Sequence, residues 1–273
     1  MTTFATIPQL ADYLKTGYWA YANYDGNQPR HWASHTISVN ITGLTAAEQN
    51  LAVNALELWH EVADVSFTFT SGTADITYNH NGGATQYVAN TSDTTPVSGQ
   101  NYTHETIDIS SYWFANDGGA QDGRTGIYSY NFQTYLHETG HALGLGHQGP
   151  YNNSATYGVD NIYSNDTWQW SIMSYFSQNN YGGASYDYVI SPQMADIYAI
   201  QSIYGATTTR SGATTYGFHS NAGPIYDFNN YAGMGTPAFT IYDSGGSDTL
   251  DCLGYWSNQT IDLNPGHWSS VGG

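Results

Sequence analysis

The stretch HETGHALGLGH, residues 137–147, is the feature that most limits how this chain can fold. Residues four apart on a helix share a face, so His137 and His141 would project side by side. The glycines that follow favour a sharp turn, because glycine takes positive φ at little cost. Such a turn would bring His147 back toward the first two histidines. The spacing therefore predicts a helix and turn that gather three imidazoles around one point.

Three neutral imidazoles with an open fourth position are typical of a catalytic zinc site rather than a closed structural one. Glu138 lies one position beyond the first ligand, near enough to reach a water at the metal. The HExxH core alone arises by chance in unrelated helices, whereas HExxHxxGxxH is a demanding signature that requires a methionine turn downstream. We therefore predict one Zn²⁺ held by His137, His141 and His147, with Glu138 free to move protons.

The expected methionine turn has a candidate in SIMSYF, residues 171–176. Met173 would form an apolar floor beneath the metal, and Tyr175 could point its phenol at the ion. Simple core packing is the alternative for Met173, since most buried methionines are used in this way. Its position after a complete three-histidine motif favours the turn.

The charge balance excludes some classes of function. The chain has four basic and 22 acidic residues, a formal net charge of −18, and this argues against a nucleic-acid partner. It suits a protein that binds hard cations through carboxylates. No apolar run approaches the roughly 18 residues that span a bilayer, and the start has no secretory signal pattern. Cys252 is the single cysteine, so no internal disulfide forms, and we expect it buried in a strand.

The pattern along the chain predicts an α+β protein. Residues 45–63 read as a helix with a capping box between Thr45 and Glu48, and a second helix should begin near Asn131. A third helix should have Ser191 as its cap, Pro192 at its first position and Gly205 just past its end. Helical periodicity disappears after about residue 206, which places a domain boundary at 205–210. The predicted strands are HTISVNITG, VSFTFTS, ADITYNH, ATQYVAN and ETIDISSYWF.

Together, HETGHALGLGH, SIMSYF and SPQMADIYAIQSIYGA resemble the serralysin family of metzincins, which are secreted bacterial zinc endopeptidases. TAAEQNLAVNALELWHEVADVSFTF is similar to that family's first long helix and following strand. TTRSGATTYGF and YDSGGSDTLDCLGY look like the entrance to its calcium-binding β-roll. The resemblance implies a metzincin catalytic domain, a mixed twisted sheet with an active-site helix, over residues 1–207. The start of a parallel β-roll or β-sandwich domain would then occupy residues 208–273.

The resemblance also implies roles for individual residues. His137, His141 and His147 look like the zinc ligands, and Glu138 looks like the general base. Tyr175 looks like the family's tyrosine ligand, which swings away on substrate binding and then helps to stabilise the oxyanion. A tyrosine O–H is a suitable hydrogen-bond donor for that purpose.

The family binds substrate as an extra antiparallel strand along an exposed sheet edge. By order in the chain, GATQYVAN, residues 83–90, is the candidate for that edge, and an ordinary interior strand is the alternative. Backbone groups along an edge clamp a peptide with little sequence preference. The candidate substrate-binding residues are Ala84, Thr85, Gln86, Tyr87 and Val88.

Calcium is expected because GGSDT permits tight turns in which carbonyl and carboxylate oxygens surround a hard cation. A plain Asp/Gly turn is the alternative, since such clusters are common in loops. The resemblance implies one or more structural Ca²⁺ ions, with a second site that shares Gly246 and Asp248. The first site would use the backbone carbonyls of Arg210, Gly212 and Thr214 with Asp243, Gly245 and Asp248.

The chain departs from the family pattern at two places. Gln148 follows the third histidine where the family often has proline, which puts the local loop in doubt. The chain stops at SSVGG, where relatives continue into repeated GGxGxD turns, so we expect a C-terminally shortened form that lacks the export signal. No propeptide is visible. Type I export of the full-length parent to the outside of the cell is the expected route.

The sequence therefore predicts a broad-specificity zinc endopeptidase that acts on extracellular proteins. We expect a monomer with protein or peptide substrates, a proteinaceous inhibitor as a further partner, and neither nucleic acid nor membrane. One alternative is a non-catalytic calcium-binding β-roll or adhesin-like module with a vestigial zinc site. The presence of Glu138, Met173 and Tyr175 together speaks against it. The other alternative is a processing protease of narrow specificity.

Overall fold

The computed structural model describes residues 2–22, 28–81, 89–93, 101–117 and 126–272. These residues form a five-stranded sheet with helices packed against it, followed by a smaller region with a two-stranded sheet. The predicted α+β class is therefore confirmed. None of the helices in these ranges is long and apolar enough to cross a membrane.

The five-stranded sheet is mixed. Its order is β2-β1-β3-β5-β4; β4 pairs antiparallel with β5, and the other neighbours are parallel. Within the described ranges, the strand β4 therefore forms one edge of the sheet. The apolar side chains of Ile37, Ile76 and Ile107 are buried in the core that the sheet shares with the helices. The strands are β1 Thr36–Asn40, β2 Ser66–Phe69, β3 Ile76–Asn81, β4 Ala89–Asp93 and β5 Glu105–Ser110.

One predicted strand is shorter than expected, because its second half is helical. The stretch ETIDISSYWF was expected to be extended throughout, but β5 ends at Ser110 and the helix α4, Ser111–Asp117, begins at once. The Ser110 hydroxyl accepts a hydrogen bond from the backbone N–H of Tyr112 at 3.1 Å. A serine that satisfies an early N–H in this way favours a helix start, which the aromatic residues that follow do not reveal.

Along the chain, helices precede the first strand, separate β1 from β2 and follow β5. A short helix α1, Ile7–Asp12, runs through a π-helical segment, Tyr13–Gly17, into α2, Tyr18–Tyr21. The long helices are α3 Ala46–His60, α5 Tyr130–Ala142 and α6 Met194–Tyr204. Single 3₁₀ turns occupy Gln178–Asn180, Pro224–Tyr226 and Phe228–Tyr231.

The capping box predicted at the start of α3 is present. The Thr45 hydroxyl accepts from the N–H of Glu48 at 3.4 Å, and the Glu48 carboxylate accepts from the N–H of Thr45 at 2.8 Å. At the other end of the helix, the Trp59 indole donates to the carbonyl oxygen of Leu136 at 3.2 Å. This contact holds α3 against α5, the helix that carries the first two histidines of the motif.

The predicted start of the third helix is two residues too early. Helix α6 begins at Met194, where Gln193 and Asp196 cap each other's backbone N–H groups. The hydroxyl of Ser191, the expected cap, instead accepts a hydrogen bond from the N–H of Thr240 at 2.8 Å. A long-range partner therefore removes the serine from its local role. The predicted end is confirmed, since Gly205 follows the helix with φ of 91°.

A part-buried ion pair joins the C-terminal region to the end of α3. The Arg210 guanidinium pairs with the Glu61 carboxylate at the end of α3 and lies 4.6 Å from the ring centre of Tyr226. Beyond it, β6, Thr215–Gly217, pairs in parallel with β7, Thr249–Asp251. Cys252 follows β7 and is only partly buried, so its predicted place inside a strand is wrong.

Candidate zinc site and cleft

The structure brings the three motif histidines together. His137 and His141 project from α5, and His147 returns from the turn beyond its end, so that one ligand nitrogen of each lies within 4.8 Å of the others. The Nε2 atoms of His141 and His147 are 3.0 Å apart. This is close to the roughly 3.3 Å that a tetrahedral zinc with nitrogens at 2.0–2.1 Å would require.

The turn that returns His147 depends on two glycines. Gly144 has φ of +108°, and a Cβ there would lie 2.1 Å from the carbonyl oxygen of Arg30. A Cβ on Gly146 would lie 2.3 Å from the ring of Tyr18. Any larger residue at either place would displace the neighbouring chain, so the predicted role of these glycines in the turn is supported by their surroundings.

Each histidine is oriented by a backbone carbonyl. A carbonyl oxygen can only accept, so each Nδ1 carries the hydrogen and each Nε2 presents its lone pair. That arrangement matches the protonation that a metal ligand needs. The contacts are His137 Nδ1 to Ile172 O at 2.9 Å, His141 Nδ1 to Leu145 O at 2.7 Å, and His147 Nδ1 to Tyr151 O at 2.8 Å.

Burial keeps these imidazoles neutral. It lowers the pKa of His137 to about 4. Burial, together with repulsion from His137, lowers the pKa of His141 to about 3. The pKa of His147 is also well below its usual value because that ring is buried beside the other two. Three neutral nitrogen donors with fixed tautomers fit a zinc ion.

The predicted methionine turn lies beneath the histidines. Met173 is fully buried, and its Sδ would be 2.7 Å from a Cβ placed on Gly140 of α5. The carboxylate of Asp196 on α6 holds the turn, accepting from the Ser171 hydroxyl at 2.6 Å and from the Ile172 N–H at 2.7 Å. Burial raises the pKa of Asp196 to about 7. Sequence reasoning missed Asp196, which it used only as part of a helix.

Tyr175 lies beside the histidine cluster. Its ring centre is 4.5 Å from that of His147 and 6.0 Å from that of His137. Burial raises the pKa of the Tyr175 phenol, so the group keeps its proton and remains a hydrogen-bond donor. Behind it, the Tyr151 hydroxyl donates to the buried carboxylate of Asp166 at 3.0 Å.

Glu138 is buried next to the motif histidines. Only 6% of the residue is exposed. Burial raises the pKa of the Glu138 carboxyl to about 7, while a hydrogen bond from Thr91 acts in the opposite direction. A carboxyl with a pKa near neutrality can both accept and return a proton.

A cleft of about 740 Å³ runs past these residues. The strand β4 forms one wall through Ala89–Ser92, and α5 contributes both of its histidines and Glu138. Aromatic side chains line the cleft near each end of α5, with Tyr130 at the start of the helix and Trp19 near its end. The Trp19 indole donates to the carbonyl oxygen of Gly144 at 2.9 Å.

The predicted substrate-binding residues, 84–88, lie outside the described residues. The strand that follows them, β4, is the edge of the sheet and lines the cleft. The role of residues 84–88 in binding a peptide therefore stays a prediction.

The residues predicted for calcium lie in two adjoining segments. The N–H of Thr214 donates to Asp248 Oδ1 at 3.0 Å, and a Cβ on Gly246 would lie 2.3 Å from the carbonyl oxygen of Gly212. Asp243 Oδ1 accepts from the N–H of Gly245 at 2.8 Å. The Arg210 side chain is engaged with Glu61, which leaves its backbone carbonyl as the group that could face a cation.

Comparisons with known proteins agree with this site. A family model described as matrixin matches residues 31–157, and one described as the serralysin C terminal of peptidase M10 matches residues 205–273. Metallopeptidase AprA of Pseudomonas marginalis is 34% identical over 293 residues, covering 98% of this chain and 59% of that protein. Serralysin B of Dickeya chrysanthemi is 36% identical over 258 residues, covering 88% of this chain and 50% of that protein.

The mixed sheet, the three histidines carried by α5 and the turn after it, and the methionine turn together define a metzincin, the class in which HExxHxxGxxH is followed by such a turn. The matched relatives and the C-terminal family model narrow the assignment. The chain belongs to the serralysin family. It spans a little more than half the length of two curated relatives that it matches, 59% of one and 58% of the other.

Proposed function

We propose that this chain is a zinc-dependent endopeptidase that hydrolyses peptide bonds in extracellular proteins with broad specificity. The observation that carries the proposal is the convergence of three neutral imidazoles beside the buried carboxyl of Glu138 in one cleft. We propose residues 1–207 as the peptidase domain and residues 208–273 as the first part of a calcium-binding domain. The names of the relatives support this activity.

His137, His141 and His147 would hold one zinc ion, with Tyr175 as an additional ligand in the resting enzyme. When bound, zinc supplies a Lewis acid that lowers the pKa of water to about 7 and polarises a carbonyl. The carbonyl partners of the three Nδ1 atoms keep the ligands in the tautomer that this requires. Met173 supplies a buried apolar floor.

Glu138 moves the protons of the reaction. Its carboxylate takes a proton from the attacking water and passes it to the nitrogen of the leaving amine. Burial raises the pKa of this carboxyl above its usual value, which makes its carboxylate a stronger base toward the proton of the water.

Tyr175 stabilises the developing charge. Its phenol keeps the proton because burial raises its pKa, and it donates a hydrogen bond to the substrate oxygen that becomes negative. The ring lies beside His147, and both residues line the cleft.

The substrate would bind as a strand along β4. An edge strand presents unpaired backbone groups, and a peptide that pairs with them gains affinity with little dependence on its side chains. The position of β4 at the sheet edge and along the cleft supports this mode. We propose that residues 84–88 extend the same binding edge.

Structural calcium would bind between the segments 210–214 and 243–248. The carbonyls of Arg210, Gly212 and Thr214 and the oxygens of Asp243, Gly245 and Asp248 form the proposed first site, and Gly246 and Asp248 contribute to a second. Contacts between the two segments support this placement. We further propose a secreted monomer whose partners are protein substrates and a proteinaceous inhibitor.

The test is cleavage of casein and a quenched peptide by the wild type and Glu138→Ala at matched zinc content in calcium buffer. We expect the variant to lose activity by several orders of magnitude, about 10²–10⁴-fold for the loss of a general base alone, while keeping its zinc. Glu57→Ala, at an exposed position on α3, is the control that should retain full activity. An inactive wild type that holds one zinc would overturn the proposal and favour a binding module.

A further inference from the structure

The hydroxyl of Thr91 joins the edge strand to the buried Glu138. Thr91 lies at the middle of β4, where it pairs with Ile107 of β5. Its Oγ1 is 2.7 Å from Glu138 Oε2 and 3.0 Å from the carbonyl oxygen of the same residue. A hydroxyl has a single hydrogen, so Thr91 shares it between two acceptors on one residue.

Both ends of this contact are held in place. The backbone of Thr91 belongs to the ladder between β4 and β5, and its β-branched side chain has few rotamers in a strand. Glu138 lies within α5. Its neighbours on the helix are packed in the core or belong to the candidate metal site. A hydrogen bond between two fixed elements restricts the glutamate, whose longer side chain would otherwise have several rotamers.

We propose that Thr91 is a positioning residue for the reaction under Proposed function, on which this inference rests. Its hydroxyl holds Oε2 of Glu138 and leaves Oε1 as the oxygen that exchanges protons with water and the leaving amine. Because Thr91 belongs to the strand that would pair with the substrate, the same residue fixes the distance between the peptide and the base. A misplacement of a catalytic group by about 1 Å can cost about 100-fold in rate.

The rival explanation is that Thr91 only ties β4 to α5. In that case the contact with the backbone carbonyl of Glu138 would matter and the contact with its carboxylate would not. Substitution by valine keeps the shape of Thr91 and removes the hydroxyl, whereas serine keeps the hydroxyl. Thr68→Val provides a matched control, because Thr68 is exposed on β2, at the opposite edge of the sheet.

The first readout is kcat and KM on a quenched peptide with zinc content measured for each variant. We expect Thr91→Val to lower kcat about tenfold to a hundredfold with KM within about twofold, and Thr91→Ser to retain kcat within about threefold. Thr68→Val should match the wild type. Unchanged kcat in Thr91→Val, an equal loss in Thr91→Ser, or a loss expressed only in KM would overturn the proposal.

The second readout does not depend on activity. Crystal structures of the zinc-free wild type and Thr91→Val should show the Glu138 carboxylate in one conformer in the first and displaced or in several conformers in the second. An identical Glu138 conformer in both would show that Thr91 does not position the base. If the wild type cleaves no peptide, the proposed function fails, and this comparison still decides the role of Thr91.

Discussion

The Nδ1 atom of His137 lies 2.9 Å from the carbonyl oxygen of Ile172, so the first histidine of the motif takes its orientation from the methionine turn. The N–H of Ile172 in turn donates to the carboxylate of Asp196 at 2.7 Å. The backbone of one residue, Ile172, therefore links α6 to the first histidine of α5. Outer partners of this kind set the tautomer and direction of a ligand imidazole.

Gly140→Ala should destabilise the protein through Met173. An added Cβ would lie 2.7 Å from Met173 Sδ and 3.1 Å from Cζ2 of Trp59, both fully buried. We expect the free energy of unfolding to fall by about 1–3 kcal/mol, as for other overpacked cores. In a solvent-exposed helix, the same change would raise the free energy of unfolding by up to about 1 kcal/mol. The sign of the change therefore shows whether Met173 packs against α5 at this position. Urea unfolding measures it.

The control for this change is Gly72→Ala. Its Cβ would meet only the Thr70 hydroxyl at 3.7 Å. We expect the free energy of unfolding to change by no more than about 0.5 kcal/mol. A stabilised Gly140→Ala protein would contradict the packing of Met173 against α5.

Tyr175→Phe should lower kcat without loss of the metal. The variant keeps the ring beside His147 but removes the phenol that would donate to the developing negative charge. We expect a fall of about 10²–10³-fold in kcat, the usual cost of one oxyanion donor, with zinc content unchanged. Steady-state kinetics with metal analysis tests this. Wild-type kcat in the variant would remove Tyr175 from the reaction.

Asp196→Asn should change how stability depends on pH. Burial raises the pKa of Asp196 to about 7 in the folded protein, whereas an unfolded aspartate has a pKa of about 3.9. Between about pH 4 and pH 7 the unfolded chain releases this proton and the folded chain keeps it. By linkage, the wild type therefore loses stability relative to the variant as pH rises through this window.

The measurement is urea unfolding of both zinc-free proteins in calcium buffer at several pH values. Asparagine cannot accept at both oxygen positions, so a constant offset in the free energy of unfolding is expected. The informative quantity is the trend in the difference between the two proteins. A difference that stays constant from pH 4 to pH 7 would contradict the raised pKa.

Arg210→Met should destabilise the junction between the two parts of the chain. The guanidinium pairs with Glu61, whose side chain is 17% exposed, and stacks on Tyr226. Removing one partner of a largely buried pair leaves the other charge without compensation, at a cost of about 2–4 kcal/mol. Adding Glu61→Met should restore part of the loss, because no lone charge then remains.

A matched surface pair provides the control. Lys15 and Asp12 are 3.0 Å apart, but the Asp12 side chain is 69% exposed. We expect Asp12→Asn to change the free energy of unfolding by less than about 0.5 kcal/mol, because water and salt screen such a pair. If Arg210→Met costs no more than Asp12→Asn, the buried pair does not stabilise the junction.

Calcium should raise the unfolding temperature of the wild type, and Asp248→Asn should reduce that increase. Asp248 Oδ1 accepts from the N–H of Thr214, so the carboxylate lies where the two candidate segments meet. A ligand that binds only the folded state stabilises it in proportion to the logarithm of its concentration. Thermal unfolding across a calcium titration measures the effect. An equal calcium response in both proteins would exclude Asp248 as a ligand.

The features of the fold that were predicted correctly from the sequence depend on interactions between residues close together in the chain. The capping box of Thr45 and Glu48 and the glycine at 205 act within one helical turn, and the structure contains both. The expected cap at Ser191 was wrong because its hydroxyl binds the N–H of Thr240, 49 positions away. A contact at that distance in sequence leaves no local pattern.

The same distinction between short-range and long-range contacts applies to the candidate site. The three histidines could be predicted because helical spacing and a glycine turn place them, and the structure brings them together. The groups that orient them could not, since Ile172 contributes a backbone carbonyl that any residue has. Thr91 reaches Glu138 across 47 positions, and nothing around it in the sequence indicates that contact.

The π-helical segment and α2, near the start of the chain, contact the loop that carries His147. The carbonyl oxygen of Leu14 accepts from the N–H of Gly146, and the Trp19 indole reaches Gly144 across 125 positions. We expect contacts between such distant residues to form late in folding, because a long loop must close first. One helix places His137 and His141. The position of His147 also depends on contact between its loop and the segment that contains Leu14 and Trp19. We therefore expect a partly folded chain to lack the third imidazole at this site.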